Sequence, residues 1–133
     1  VIVFVSASHP FAKAKRSEIR MSELDGAPVI LRERGSSTRR IFEQATKKAG
    51  VRPDYVIETT SRETVKEAVA AGLGVGVISE AELRQDSRFW PLQVKDADMN
   101  YTEYVVCLER KKNLRLLSEF FRLIETVGQQ AFP

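Results

Sequence analysis

The chain has 133 residues, 43% of them hydrophobic, which suits one compact domain with a real core rather than two domains of usual size. Its 21 Lys and Arg residues against 18 Asp and Glu residues give a net charge of +3 with both signs interspersed, so charge alone does not indicate a nucleic-acid surface. The single Cys excludes an internal disulfide, and no apolar run is long enough to span a membrane, so the chain is predicted to be soluble and cytoplasmic. Residues that could bind a metal are too few for a site, and no metal or cofactor is predicted.

Apolar, β-branched runs predict the first strands. Val1–Val5 is a continuous run of the kind expected for a strand buried on both faces. Pro28–Leu31, Tyr55–Ile57 and Val75–Ile78 are shorter runs of the same kind.

Amphipathic helical patterns separate the last three of these runs. In the first pattern, apolar residues between Ile41 and Ala49 fall on one face, and in the second, Thr60 with Glu63 three residues later forms a capping box. A glycine follows each pattern and supplies the C-terminal stop. The order strand, helix, strand, helix, strand predicts an α/β fold with parallel strands joined by right-handed crossovers.

The rest of the chain adds two strands and two helices. A short polar helix, "SEAELRQ", leads to the strand "FWPLQV", and Tyr101–Leu108 is predicted to form a second long strand that buries Cys107. The final pattern, from Leu116 to Val127, predicts a strongly amphipathic helix whose apolar face needs a partner surface.

The stretch "RERGSSTRR" lies between a predicted strand and a predicted helix. Helix starts carry N–H groups without intrahelical partners and a partial positive charge, and in open α/β sheets they lie at the carboxyl ends of strands, where ligands bind. Hydroxyl and guanidinium donors at such a start predict a site for a carboxylate, sulfate or phosphate-like group. In the alternative interpretation, Ser36 or Ser37 caps the helix and the arginines are solvated. The candidate ligand-binding residues are Arg32, Arg34, Ser36, Ser37, Thr38 and Arg39.

The stretch "ETTSRE" repeats this arrangement at the next strand-to-helix junction. Thr59, Thr60 and Ser61 follow a strand and precede a helix, so two hydroxyl-rich helix starts would lie side by side at one sheet edge. Capping explains Thr60 more simply than ligand binding does, whereas for Ser61 both interpretations stay open.

No motif in the chain predicts a catalytic site. "GLGVG" ends a helix and begins a strand, the reverse of a phosphate-binding loop, and is interpreted as a tight turn. The sequence contains neither a G-x-x-x-x-G-K-[ST] loop nor a G-x-S-x-G elbow, and His9 before Pro10 is typical of a loop. The protein is therefore predicted not to be an enzyme. A small enzyme on an α/β scaffold is kept as a third interpretation, which would need a set of catalytic residues.

Three stretches resemble a known family when they are taken together. "HPFA" (His9–Ala12), "LDGAPVILRERGSSTRRIFE" (Leu24–Glu43) and "AVAAGLGVGVIS" (Ala68–Ser79) look like the effector-binding domain of LysR-type bacterial transcription regulators. The resemblance runs through nearly the whole chain. Within the family, "RERGSSTRRIFE" and "EYVVCLERKK" look closest to regulators associated with aminoethylphosphonate catabolism.

The resemblance implies a periplasmic-binding-protein-like fold of two α/β lobes joined by crossing strands. Residues about 7–98 would form the second lobe, and residues 1–6 and 99–133 would form the crossing strands and the remnant of the first lobe. The resemblance also implies that hydroxyl and amide groups bind the effector. The arginines and hydroxyls of these junctions favour a small anionic effector, a phosphonate or carboxylate. The hydroxyl positions that match the family's motif are Ser36, Ser37 and Thr38, with Thr60 and Ser61 across the same pocket.

Because the family's helix-turn-helix is absent from this chain, DNA would be contacted only through a separate N-terminal domain. The chain begins without Met inside a strand pattern, which predicts a piece of a longer protein. That protein is expected to be a homo-oligomer. The alternative is a transport-type solute-binding protein of the same fold, which an export signal upstream would favour.

Overall fold

The computed structural model describes the backbone of residues 1–83 and 86–131, with side chains described to residue 127. It divides into two compact units, residues 1–101 and residues 102–133. The first unit holds the sheet, and the second holds the final helix. None of the helices in the described ranges is long and apolar enough to cross a membrane.

In the described part of the chain, six strands form one sheet in the order β2-β6-β1-β5-β3-β4. The strands are β1 (Ile2–Ser6), β2 (Glu18–Ile19), β3 (Pro28–Arg32), β4 (Asp54–Thr59), β5 (Val75–Ile78) and β6 (Phe89–Val94). The helices are α1 (Pro10–Lys13), α2 (Ser37–Ala49), α3 (Arg62–Ala70), α4 (Glu80–Leu83) and α5 (Arg115–Ala131). Of the predicted helix "SEAELRQ", residues 84–85 lie outside the described ranges.

Strand pairing confirms the predicted α/β order. β3 pairs in parallel with both β4 and β5, so β3, α2, β4, α3 and β5 form the expected alternating unit. β1 pairs antiparallel with β5 and β6, and all five of its residues are buried, as predicted for its apolar run. This arrangement brings the carboxyl ends of β3, β4 and β5 to one edge of the sheet.

The sheet carries a core on each face because side chains alternate along each strand. Val3 and Val5 of β1 lie in one core with Phe42 of α2, whereas Ile2 and Phe4 lie in the other with residues of α3. Phe42 and Phe4 are fully buried. Truncating either ring to Ala would lower the free energy of unfolding by about 3–5 kcal/mol. The two cores fix the positions at which α2 and α3 begin.

β4 differs from the prediction of a buried strand, because it is the edge strand of the sheet. Tyr55 and Val56 are each 44% exposed. A short apolar run in the sequence does not reveal whether a strand is central or at an edge, since that depends on which strands flank it.

The glycines of "GLGVG" support the interpretation as a tight turn. Gly72 has a φ of +77°, a conformation that favours glycine. At Gly74 a Cβ atom would approach the carbonyl oxygen of Pro28 to 2.5 Å, and at Gly76 it would meet the ring of Phe4 at 2.3 Å. Gly74 thus allows close approach to the backbone of β3, and Gly76 leaves room for the ring of Phe4.

Residues 101–108 do not form the predicted second long strand. A strand needs a neighbouring strand for its backbone hydrogen bonds, and none of the strands in the described ranges pairs with this segment. Val106 is 83% exposed, and Cys107 is only half-buried rather than buried as predicted. The run's apolarity alone is therefore not enough to make it a strand.

The final helix forms as predicted and is α5. Its apolar residues are largely exposed: Leu116 is 81% and Phe120 is 48% accessible to solvent. Leu123 and Val127 extend the same exposed face. The expectation that this face needs a partner surface stays a prediction.

Candidate functional site

The candidate site is the sheet edge where β3, β4 and β5 end and where α2, α3 and α4 begin. A very small cavity of about 10 Å³, with room for about one water molecule, lies between these elements. It is lined by Arg32, Thr38, Arg62, Val65, Val77, Ile78 and Glu82. The cavity therefore combines an apolar floor from the sheet and α3 with charged and hydroxyl groups at the helix starts.

The start of α2 is not capped by its own serine. Ser36 is the N-cap residue, but its side chain makes no capping hydrogen bond to the backbone. Its hydroxyl instead pairs with the hydroxyl of Thr38 at 2.9 Å. Gly35 has a φ of +106°, which lets the chain turn sharply into the helix, and Ser37 is exposed. The first amides of α2 are thus left without a side-chain cap.

The start of α3 is capped in the ordinary way. Ser61 is the N-cap residue, and its hydroxyl accepts a hydrogen bond from the amide of Thr64 at 3.2 Å. The amide of Ser61 in turn donates to the hydroxyl of Thr59 at 3.2 Å. The predicted cap at Thr60 is therefore one residue too early, and Thr60 is exposed. Local hydrogen bonding occupies the Ser61 hydroxyl as an acceptor.

Arg39, one of the predicted ligand-binding residues, contacts three groups of the protein itself. Its side chain is only 7% exposed, and its guanidinium contacts Glu43 at 2.8 Å and Glu58 at 2.6 Å. Nη1 also donates to the backbone carbonyl of Arg32 at 2.8 Å. Arg39 thereby ties α2 to the ends of β3 and β4, and it supports the site from beneath.

Arg32 and Arg34 lie on the loop that leads into α2. Arg32 donates from Nε and Nη2 to the carboxylate of Glu33, at 2.8 and 2.9 Å, and it lines the cavity with Thr38. Arg34 is exposed. Of the arginines predicted for ligand binding, the structure thus brings Arg32 next to Thr38 within the cavity lining.

Arg62 and Glu82 also line the cavity, and the sequence prediction did not include them. Arg62 is the first residue of α3, and its Nη2 lies 3.0 Å from Oε1 of Glu82 on α4. Lys66 donates to the backbone carbonyl of Glu82 at 3.1 Å. The position of Arg62, directly after Ser61 at a predicted helix start, could have identified it as a candidate from the sequence. Glu82 became a neighbour only through the packing of α4 on α3.

The arginines lower the proton affinity of the carboxylates around the site. The hydrogen bond from Arg32 holds the pKa of Glu33 below its usual value, and the charge of Arg62 acts in the same direction. The hydrogen bond from Arg39 likewise lowers the pKa of Glu58. These carboxylates are therefore ionised at neutral pH, and any bound anion must compete with them for the guanidinium groups.

Comparison with known proteins shows the family. The family described as LysR substrate binding domain matches residues 1–129. The chain belongs to the LysR substrate-binding domain family. A LysR-type relative, the transcriptional regulator CbbR of Rhodospirillum rubrum, is 33% identical over 113 residues, which are 83% of this chain and 37% of CbbR. The transcriptional activator CmpR of Synechocystis is 28% identical over 123 residues, which are 91% of this chain and 40% of CmpR.

Solved structures share the LysR effector-domain fold. The regulatory domain of CcmR from Synechocystis, in complex with 2-PG, has a TM-score of 0.72 at 23% identity, with 95% of this chain and 61% of that chain covered. The effector binding domain of QuiR in complex with shikimate has a TM-score of 0.61 at 16% identity, with 71% of this chain and 44% of that chain covered. At these identities the likeness concerns the fold. It confirms the periplasmic-binding-protein-like α/β class.

The LysR relatives are named as transcriptional regulators, which does not favour the transport-type alternative. The chain spans about 40% of the length of CmpR and a similar share of CbbR. It therefore corresponds to part of the regulators that it matches.

Proposed function

We propose that this chain is the effector-sensing part of a cytoplasmic, homo-oligomeric LysR-type transcription regulator. A small anionic effector binds at the starts of α2 and α3, and the signal passes to a separate DNA-binding domain, through which alone the protein contacts DNA. Family membership supports the regulatory role. The geometry of the two helix starts supports the anionic nature of the effector.

The uncapped start of α2 is the observation on which the anion site depends. In an ordinary N-cap the serine hydroxyl accepts a hydrogen bond from a first-turn amide, as Ser61 does in α3. At α2 the Ser36 hydroxyl contacts Thr38 instead. The first-turn amides of α2, and the one hydroxyl of this pair that does not donate to the other, are thus donors suited to an external oxyanion. The helix dipole adds positive potential there.

The roles of the candidate residues follow from their positions. We assign the effector's anionic group to the hydroxyls and amides of Ser36, Ser37 and Thr38. Thr60 and Ser61 border the site from the second helix start, and Arg34 adds charge at its exposed rim. Two further arginines differ in role: Arg32 can bind the anion directly, whereas Arg39 holds the ends of β3 and β4 in position.

The effector's class is a small molecule with a phosphonate, phosphate or carboxylate group. The combination of hydroxyl, amide and guanidinium donors fits each of these groups. CcmR provides a parallel among proteins of this fold, since its regulatory domain was solved with 2-PG, a carboxylate-phosphate ligand. 2-PG is therefore a suitable first probe.

Thr38→Val tests the proposal because it removes the hydroxyl and keeps the shape of the side chain. Hydrogen bonds to charged groups contribute roughly 1.5–3 kcal/mol, so affinity for 2-PG or inorganic phosphate should fall about ten-fold or more. The matched control is Thr64→Val, which makes the same change in the first turn of α3, where Thr64 is exposed. Calorimetric titration of the three proteins measures the difference.

Equal affinity of Thr38→Val and the parent chain would contradict the assignment of Thr38. Ser37→Ala should also weaken binding if its hydroxyl contacts the anion. If neither variant binds more weakly, these hydroxyls serve the local structure of the loop and helix start only. A circular dichroism melt of each variant confirms that a loss of affinity does not reflect unfolding.

A further inference from the structure

Two arginines line the cavity, Arg32 and Arg62, and they differ in how firmly each is held by its carboxylate partner. Arg32 is bound to Glu33, its neighbour in sequence, through two nitrogen atoms at 2.8 and 2.9 Å. Arg62 is bound to Glu82, from another helix, through Nη2 alone at 3.0 Å. The Arg62 side chain is 56% exposed, so its remaining donors are accessible to solvent.

The Arg62–Glu82 pair is the one that an external anion can replace. An exposed pair with one contact adds little net stability, because both side chains are well solvated when apart and lose rotamer freedom when paired. Glu82 is itself 31% exposed and can turn toward solvent. Lys66 binds the backbone carbonyl of Glu82, not its carboxylate, so helix α4 keeps this anchor when the carboxylate leaves.

We propose that Arg62 is a further effector-binding residue and that the carboxylate of Glu82 competes with the effector's oxyanion for its guanidinium. This inference rests on the proposed function, since it concerns the same site. On binding, the anionic group of the effector replaces the carboxylate of Glu82 at Arg62. Competition from Glu82 therefore lowers the affinity for the effector. An effector must interact with Arg62 more favourably than the carboxylate of Glu82 does.

The geometry favours a tetrahedral oxyanion over a planar carboxylate. Arg32 comes from the end of β3, Arg62 comes from the start of α3, and the hydroxyl of Thr38 lines the cavity with them. The two oxygens of a carboxylate lie in one plane and match a single guanidinium fork. A phosphate or phosphonate group presents three oxygens in different directions, so once Glu82 leaves Arg62 it can contact the guanidinium of Arg62 and a second donor of the lining at the same time. The effector class inferred is a compact phosphate or phosphonate compound.

The test compares Glu82→Gln with Glu80→Gln in the complete 133-residue chain. Both substitutions remove one carboxylate from α4, but Glu80 does not belong to the cavity lining. Inorganic phosphate is the probe, acetate is the second probe, and chloride keeps the ionic strength constant. Removal of a competing charge next to the site should tighten phosphate binding by roughly three- to ten-fold in Glu82→Gln, and by less than about two-fold in Glu80→Gln.

Arg62→Met provides the complementary measurement. It should weaken phosphate binding by about ten-fold or more, while the parent chain should bind acetate more weakly than phosphate. Arg62 and Glu82 are both partly exposed, so neither variant is expected to disturb folding. A thermal melt recorded for each protein checks this directly.

The outcomes separate this inference from the proposed function. Phosphate binding that is lost in Thr38→Val, yet equal in Glu82→Gln, Glu80→Gln and Arg62→Met, would overturn the role of Arg62 and Glu82 and leave the site at α2 intact. Acetate binding as tight as phosphate binding would overturn the inferred tetrahedral group. A parent chain that binds neither anion would contradict the proposed function as well.

Discussion

The two strand-to-helix junctions of the sheet edge use similar residues in different ways. At the β4–α3 junction the hydroxyl of Ser61 caps the helix by accepting from the amide of Thr64. At the β3–α2 junction the hydroxyl of Ser36 pairs with that of Thr38, and no side chain caps the helix. A hydroxyl-rich helix start can therefore be capped by its own serine, or it can lack a side-chain cap and keep donors that suit a ligand.

The support beneath the junctions differs too. α2 is tied to the ends of β3 and β4 by the buried guanidinium of Arg39, which holds Glu58 and the backbone carbonyl of Arg32. α3 begins with Arg62, whose side chain is largely exposed and pairs with Glu82 of α4. The start of α2 is thus held in place by Arg39, and its first amides have no side-chain cap. The start of α3 is capped by Ser61, and the side chain of Arg62 is accessible to solvent.

The largest expected effect comes from removing the support of α2. Arg39→Met keeps much of the apolar volume but leaves the carbonyl of Arg32 and the carboxylates of Glu43 and Glu58 without this donor. The free energy of unfolding should fall by about 1–3 kcal/mol, as typical for the loss of charge-assisted hydrogen bonds. Urea denaturation measures this change, with the exposed neighbour Arg40→Met as the control, for which we expect a change within about 0.5 kcal/mol.

Acid sensitivity gives a second readout of the same contact. Arg39 lowers the pKa of Glu58 in the folded chain. The contribution of the Arg39–Glu58 contact to stability is therefore complete above the ordinary glutamate pKa of 4.5, and it is lost as the pH falls below that value and Glu58 becomes protonated. Arg39→Met should therefore lose less stability on acidification than the parent chain does. Equal loss in both proteins, together with equal stability at neutral pH, would show that Arg39 does not hold the junction.

The caps provide a smaller effect with opposite expectations at the two helix starts. Ser61→Ala should lower the free energy of unfolding by about 1 kcal/mol, because it removes the hydroxyl that binds the amide of Thr64. Ser36→Ala should change stability by less than about 0.5 kcal/mol, since its hydroxyl does not cap α2, while phosphate binding weakens. Thermal denaturation and anion titration of both variants separate the two roles. Equal destabilisation by both substitutions would show that Ser36 caps α2 as Ser61 caps α3, and would contradict the difference between the two junctions.

Much of the fold could be predicted because its signals are local. The apolar run at β1, the amphipathic patterns of α2 and α3 and the glycines that end them place strands and helices in the right order, and parallel pairing follows from that order. The edge position of β4 and the absence of a strand over residues 101–108 depend on which segments lie alongside in space. Apolarity within the segment carries no information about those neighbours.

The candidate site shows the same division between local and distant signals. Composition pointed to the hydroxyls of both junctions, but it could not distinguish Ser36, which pairs with Thr38, from Ser61, which caps α3. Arg39 was a reasonable ligand candidate by charge, yet a helical turn places it under the strand ends beside Glu58. Burial of this kind is set by the packing of α2 on the sheet and leaves no mark on the local sequence.

We expect the start of α2, and not the start of α3, to provide the main-chain donors for the anion. Amide chemical shifts of the complete chain, followed by two-dimensional NMR during titration with inorganic phosphate at constant ionic strength, test it most directly. The shifts should be saturable and largest at the amides of Ser37 and Thr38, with the capped amide of Thr64 moving much less. Shifts that are absent at Ser37 and Thr38, or that follow the added phosphate without saturation over the whole surface, would contradict it.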